Sequence, residues 1–211
     1  MNWNPTWICP ANDLGDPAAV FGTSFVFEKK ITHANLTITA MGVYEAKLNG
    51  RRVGQFVMAP GWTSYHKRLQ YQKYDITDLL TNGKNEIEVT VGKGWYRSPL
   101  PGWLGCAYQD ELRSRPCGLA AQITLTFEDG SSKILSTDES WKVSDGPVRF
   151  SEIYDGEIYD SAKTPLLDQP VTIFDGPTDT LILQQGEEVC EQERLAVKKV
   201  FVTPNGETVL D

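Results

Sequence analysis

The stretch VYEAKLNGRRVGQFV, Val43 to Val57, alternates toward Leu48, reverses at Asn49-Gly50 and resumes a strand-like run after it. Asn and Gly tolerate the positive φ that both central residues of a type I′ turn require, and that turn twists in the same sense as the strands it joins. The stretch therefore reads as a β-hairpin.

Outward from this hairpin the same texture recurs. SFVFEKK from Ser24, ANLTITA, RLQYQKYD, NEIEVTVG, LAAQITLTFEDG, SKILSTD and WKVSD are short β-type runs parted by Gly, Pro, Asn and Asp, the spacing of an antiparallel sandwich. Asp129-Gly130 repeats the turn device between ITLTFE and SSKIL. YDITDLLTNG predicts one short helical turn, with Asp75 capping the N–H groups that follow and Asn82-Gly83 ending it. Tyr71 and Tyr74 are an odd number of residues apart, so an unbulged strand sends one ring into the core and leaves the other exposed or against a neighbour. The expectation is an all-β, antiparallel jelly-roll sandwich over residues 24–163, with residues 1–23 an N-terminal extension packed on it.

Near Pro165 the texture changes. TPLLDQPVTIFDGPTDTLILQQGEEVCEQERL mixes Pro, Gly and acids with short apolar runs, as a linker or a domain-crossing strand would. AVKKVFVTPNG and ETVLD then read as a hairpin around Asn205-Gly206. Residues 164–211 are thus expected to be a linker and the first strands of a second β-domain. The last strand finds no partner in the sequence, which predicts a piece of a longer polypeptide.

A formal charge of −8 and a pI near 4.9 leave no basic cluster able to neutralise phosphates, which excludes nucleic acid and an anionic membrane as partners. The N-terminus MNWNPTWICP lacks the basic flank and apolar core of a signal peptide, and the expected location is cytoplasmic. Cys9, Cys106, Cys117 and Cys190 show neither C-x-x-C spacing nor a nearby pair of His, so no zinc site is expected and free thiols are. Cys106 and Cys117 would bridge only in an oxidising compartment.

Catalytic residues are not apparent. Glu45, Asp75, Asp78, Glu152, Asp155 and Glu157 are enough carboxylates for an acid and base pair, but such groups are seldom buried and read as solvated or capping. Nucleophile elbows, phosphate loops and H-E-x-x-H are absent, and His33 and His66 lie in different segments. The aromatic stretch VGKGWYRSPLPGWLG, Val91 to Gly105, is the candidate binding element. A sugar offers an apolar C–H face ringed by hydroxyls. Trp95 or Trp103 can lie beneath that face, with the Tyr96 hydroxyl and the Arg97 fork at the rim. The alternative is that these rings cap the core or pack on a neighbouring domain. APGWTSYHKRLQYQKYD adds Trp62 and Tyr65 to the aromatic inventory.

ITAMGVYEAKLNGRRVGQFVMAPGWTSYHKRLQYQKYDITDLLTNGKNEIEVTVGKGWYR resembles the N-terminal domain of bacterial alpha-L-rhamnosidases of glycoside hydrolase family 78. The likeness runs through Gly42, Tyr44, Leu48-Asn49-Gly50, Val53-Gly54, Ala59-Pro60-Gly61-Trp62-Thr63, Tyr65, Tyr71, Tyr74-Asp75, Thr77 and Gly94-Trp95-Tyr96. Weaker similarity covers NPTWI and EIYDGEIYDSA. The resemblance implies a galactose-binding-domain-like sandwich within a multidomain inverting hydrolase that releases terminal L-rhamnose. In such enzymes the acidic catalytic residues sit on an (α/α)6 barrel, so this piece is expected to be non-catalytic, with the barrel and sister β-domains as its partners and rhamnosides as a possible ligand. Related sandwiches in the family hold L-rhamnose through calcium, and members often carry an acid directly after the Val-Gly. Gln55 stands there instead, a poorer ligand for a hard cation. No cofactor is expected.

Overall fold

A computed structural model describes residues 3–98, 111 and 114–211. Strand pairing forms one continuous path that folds over into two layers. The first layer holds β6 (Leu69–Asp75), β3 (Ile31–Ala40) and β8 (Leu119–Phe127), with β1 (Trp7–Pro10) and β9 (Ser132–Ser136) sharing the far side of β8. The second runs β10 (Lys142–Asp145), β2 (Ala19–Phe27), β7 (Gly83–Gly92), β4 (Val43–Leu48) and β5 (Arg51–Arg52). A further strand, β13 (Gln169–Phe174), turns the corner between them: Gln169 and Pro170 pair with β10, while Val171 to Phe174 pair with β1. β4 and β6 stand far apart along this path. The Tyr44 hydroxyl on β4 nevertheless donates to Gln72 Oε1 on β6 at 2.7 Å, so the ends meet and the layers are stacked.

The apolar alternation explains the stacking. Leu36 and Ile38 of β3 and Ile123 and Leu125 of β8 face Phe21 of β2 and Val89 of β7 in one buried cluster. Residues of opposite parity on the first layer, Trp7, Met41, Leu69 and Ala120, form a second cluster on its outer face. The hairpin is as expected, with Asn49 at φ 52° and Gly50 at φ 75°. Past Arg52 the strand-like reading of RRVGQFV ends early. Gly54 turns at φ 70°, and a Cβ there would lie 2.4 Å from Tyr74 Cε1, so the chain leaves the sheet to admit the tyrosine ring. Tyr74 is in the core while the Tyr71 ring meets Trp3 at 5.2 Å, the division that odd spacing requires. The helical turn is a 3-10 turn over Thr77–Leu79. Asp75 Oδ1 accepts from the Thr77 N–H (2.9 Å) and hydroxyl (2.6 Å), which holds its carboxyl below the usual range.

Strand pairing extends past the expected limits on both sides. β1 and the first half of β2 precede residue 24, yet both are paired strands. Gly22 lies beneath Leu167 and Val20 beneath Gly146, so this half of β2 is buried on both faces and loses its alternation. Downstream, β13 and β14 (Leu181–Leu183) occupy the stretch that reads as a linker or a crossing strand, β14 running parallel to β6. Two small hairpins complete the described chain. They are β11 (Val148–Glu152) with β12 (Gly156–Tyr159), and β15 (Val200–Val202) with β16 (Thr208–Leu210) around Asn205-Gly206. Cys9, Cys117 and Cys190 are free thiols, and Cys106 lies outside the described residues.

Candidate functional site

β7 ends at Gly92, and the chain turns out of the sheet into α1 (Gly94–Arg97). Gly94 makes the turn at φ 53°, where a Cβ would stand 2.8 Å from the Val43 backbone nitrogen. Lys93 anchors the turn. Its ammonium lies 3.0 Å from Asp16 and 3.1 Å from the buried Glu152 carboxylate, and 5.2 Å from the centroid of Phe150.

Four residues of helix point consecutive side chains about 100° apart, and the candidates diverge accordingly. Trp95 stacks on Trp62, ring centroids 6.0 Å apart and planes inclined by 5°. Tyr96 turns inward against the second apolar cluster, its ring 4.9 Å from that of Tyr65 and beneath the Arg115 guanidinium. Burial pushes the Tyr96 hydroxyl pKa up. Arg97 faces away: its Nε donates to the Arg115 carbonyl at 3.0 Å, and its side chain borders a separate hollow beside Cys9 and Cys117. Burial there pushes the Cys117 thiol up to about 11, the nearby guanidinium opposing the shift. Trp103 lies outside the described residues.

Trp62 supplies the missing half of the aromatic surface. It stands in the Pro-Gly loop after β5, where Met58 (φ 63°) and Gly61 (φ 87°) bend the chain around a cis Ala59-Pro60 bond. The Ala59 carbonyl accepts from the Tyr44 N–H at 2.7 Å, and the Tyr65 hydroxyl donates to the Gly61 carbonyl at 3.2 Å. Trp62 remains 59% exposed. With Trp95 it forms the apolar wall of a groove of about 360 Å³, rimmed by Thr63, Ser64, His66 and Arg115. Arg115 is mostly committed, Nη1 donating to the Tyr96 carbonyl (3.1 Å) and Nη2 to Glu111 (3.0 Å). Nothing in the sequence spacing ties Trp62 or Arg115 to Trp95. The signal for Trp62 is a large ring in a Pro-Gly loop; Arg115 carries none.

The carboxylates are dispersed. Glu45 sits between Lys47 and Arg52, Asp75 caps the 3-10 turn, and Glu152 is spent on Lys93. Gln55 is exposed, and among the described residues no three His, Cys, Asp or Glu side chains gather as a metal site requires.

The family model of the alpha-L-rhamnosidase N-terminal domain matches residues 29–193. This chain belongs to that family. As a rhamnosidase N-terminal domain it has long relatives. The alpha-L-rhamnosidase of Streptomyces avermitilis is 41% identical over 135 residues, covering 64% of this chain and 13% of that one. One from Formosa agariphila is 31% identical over 209 residues, 93% of this chain and 22% of its own. The crystal structure of native alpha-L-rhamnosidase from Aspergillus terreus matches with a TM-score of 0.88 at 36% identity, over 99% of this chain and 25% of that one. The S. avermitilis enzyme complexed with L-rhamnose matches with 0.81 at 33% identity, over 92% and 20%. The chain therefore spans a quarter or less of the length of these relatives. Among the described residues no helix is long and apolar enough to cross a membrane.

Proposed function

We propose that this rhamnosidase N-terminal domain is a non-catalytic module whose exposed apolar surface packs against further domains of one polypeptide, where the bond to a terminal L-rhamnose is cleaved. The carrying observation is the distribution of exposed aliphatic side chains. Leu166, Val189, Leu195, Val200, Val202 and Leu210 all face water, Leu195 at 82% exposure, and all follow Pro165. A two-stranded ribbon such as β15–β16 is marginal by itself and needs a surface to cover its apolar side. The much greater length of the relatives supports the same reading. The test is turnover of p-nitrophenyl α-L-rhamnopyranoside by the 211-residue chain and by the longer polypeptide that contains it. Only the longer one is expected to cleave; cleavage by the short chain overturns the reading.

The parallel, stacked Trp62 and Trp95 rings favour a second reading, capture of an L-rhamnoside by its C–H face on this apolar wall, with the hydroxyls of Thr63 and Ser64 at the rim. The S. avermitilis relative was crystallised with L-rhamnose, which supports this ligand class. L-rhamnose is expected to change the tryptophan fluorescence of the chain and to do so no longer after Trp95→Ala. No change in the unsubstituted chain refutes it.

A further inference from the structure

The Trp62 loop is fastened to the segment that leaves the sandwich as well as to the sandwich itself. Gln72 on β6 is buried, and its amide is fully committed. Its Oε1 accepts from the Tyr44 hydroxyl (2.7 Å), while its Nε2 donates to Gln184 Oε1 (2.8 Å) and reaches the Pro60 carbonyl (3.5 Å). Gln70, two residues earlier on the same face, repeats the arrangement. Its Nε2 donates to the Pro60 carbonyl (3.3 Å) and its Oε1 accepts from the Gln185 N–H (3.3 Å). A direct backbone bond joins the two segments as well, from the Val57 N–H to the Val189 carbonyl at 2.7 Å. Pro60 stands two residues before Trp62, so the two glutamine contacts with its carbonyl act directly on the loop that presents the shelf. Burial and the neighbouring Tyr74 push the Tyr44 hydroxyl pKa up, and the negative charge of Glu188 adds to the shift.

We propose that Gln70 and Gln72 are positioning residues that lock the Trp62 loop to residues 184–189, so that seating of whatever follows that segment and sugar binding at the Trp62–Trp95 shelf are thermodynamically linked; the sugar half rests on the second reading above. If residues 184–189 move off, Gln72 Nε2 loses its better partner in a buried place. An unsatisfied buried donor is costly enough to make the loop shift toward it. Linkage is reciprocal: a sugar that favours the locked loop also favours the seated segment, and by the same factor.

The experiment uses the 15N-labelled 211-residue chain and reads the indole N–H resonances of Trp62 and Trp95. Trp141, whose indole donates to the Ser136 carbonyl at 3.3 Å, serves as the reference. Gln184→Ala removes the acceptor for Gln72, and Gln184→Glu keeps it. The expected result is that Gln184→Ala shifts the Trp62 and Trp95 resonances, leaves Trp141 in place and weakens L-rhamnose binding about fivefold, while Gln184→Glu restores both. A Trp62 resonance that stays put in Gln184→Ala, or moves equally in Gln184→Glu, overturns the lock. If the unsubstituted chain shows no response to L-rhamnose, the linkage and the shelf reading both fall, and the indole shift still decides the lock.

Discussion

Trp62→Ala separates a packing surface from a mere loop. A tryptophan presents about 250 Å², and with 59% of Trp62 exposed, about 150 Å² awaits a partner. At about 25 cal/mol per Å² a covering domain would gain about 3–4 kcal/mol from that area. The part already buried, about 100 Å², is worth at most about 2.5 kcal/mol, and alanine keeps some of it. Stacking on Trp95 adds about 1 kcal/mol. The substitution should therefore cost about 2–3 kcal/mol in the 211-residue chain. In the longer polypeptide it should cost about 6 kcal/mol. For a domain of this size each kcal/mol moves the melting midpoint by about 2–4 °C, so calorimetry should show a fall of about 5–10 °C in the short chain and about twice that in the transition of this same domain within the long one. Equal shifts in the two would mean that no domain covers the ring, and the packing reading would lose its aromatic contact.

Three other outcomes follow from the geometry. Gly54→Ala forces a Cβ to 2.4 Å from a Tyr74 ring held by its hydroxyl contact with Tyr44 (3.2 Å), at φ 70°. Urea unfolding should register a loss of about 2–4 kcal/mol, whereas Gly50→Ala, at a similar φ with open space around it, should lose only about 1–2 kcal/mol. Lys93→Met strips the ammonium from the buried Glu152 carboxylate at 3.1 Å and should cost about 3 kcal/mol. The double variant with Glu152→Gln should recover most of it, and a double-mutant cycle without coupling would contradict the ion-pair account. With its pKa raised to about 11, the Cys117 thiol is protonated at pH 8, so iodoacetamide should label Cys190 before Cys117 and reach Cys117 in the folded chain only as the pH approaches that value. Peptide mapping that finds Cys117 alkylated first at pH 8 would refute this.

The parts of the fold legible in the sequence are those that keep one face wet. NEIEVTVG and LAAQITLTFEDG alternate because β7 and β8 have one side in the interlayer core and the other partly open, and Asn49-Gly50 names its own turn. The first half of β2 does not alternate, because Leu167 and Gly146 cover the face that would otherwise be polar. Those covering residues come from more than a hundred positions downstream. Local patterning can start the strand only at Ser24, where that cover ends. β13 reads as linker or crossing strand alike for a different reason. Pro10 and Pro170 lie where the strand passes from one layer to the other, so the ladder tolerates them, while in sequence they look like breakers.

The candidate site was half legible, and the missing half follows from helical geometry. Reading GWYR as one surface assumes that neighbours in sequence are neighbours in space. Inside a helical turn they are not, and Trp95, Tyr96 and Arg97 serve a groove, a core cluster and a separate hollow in turn. An apolar wall of two stacked indoles needs two parallel rings side by side, and one turn of helix cannot provide both. The second ring therefore has to come from elsewhere in the chain. It comes from Trp62, about thirty residues earlier, on a loop held by Tyr44, Gln70 and Gln72. Whatever the shelf meets, sugar or protein, it meets a surface whose two halves are set independently: Trp95 by the Lys93 anchor and Trp62 by the glutamines. Loosening either support should spoil the stacking of the two indoles without unfolding the sandwich, so the surface they form together can be lost while the fold remains.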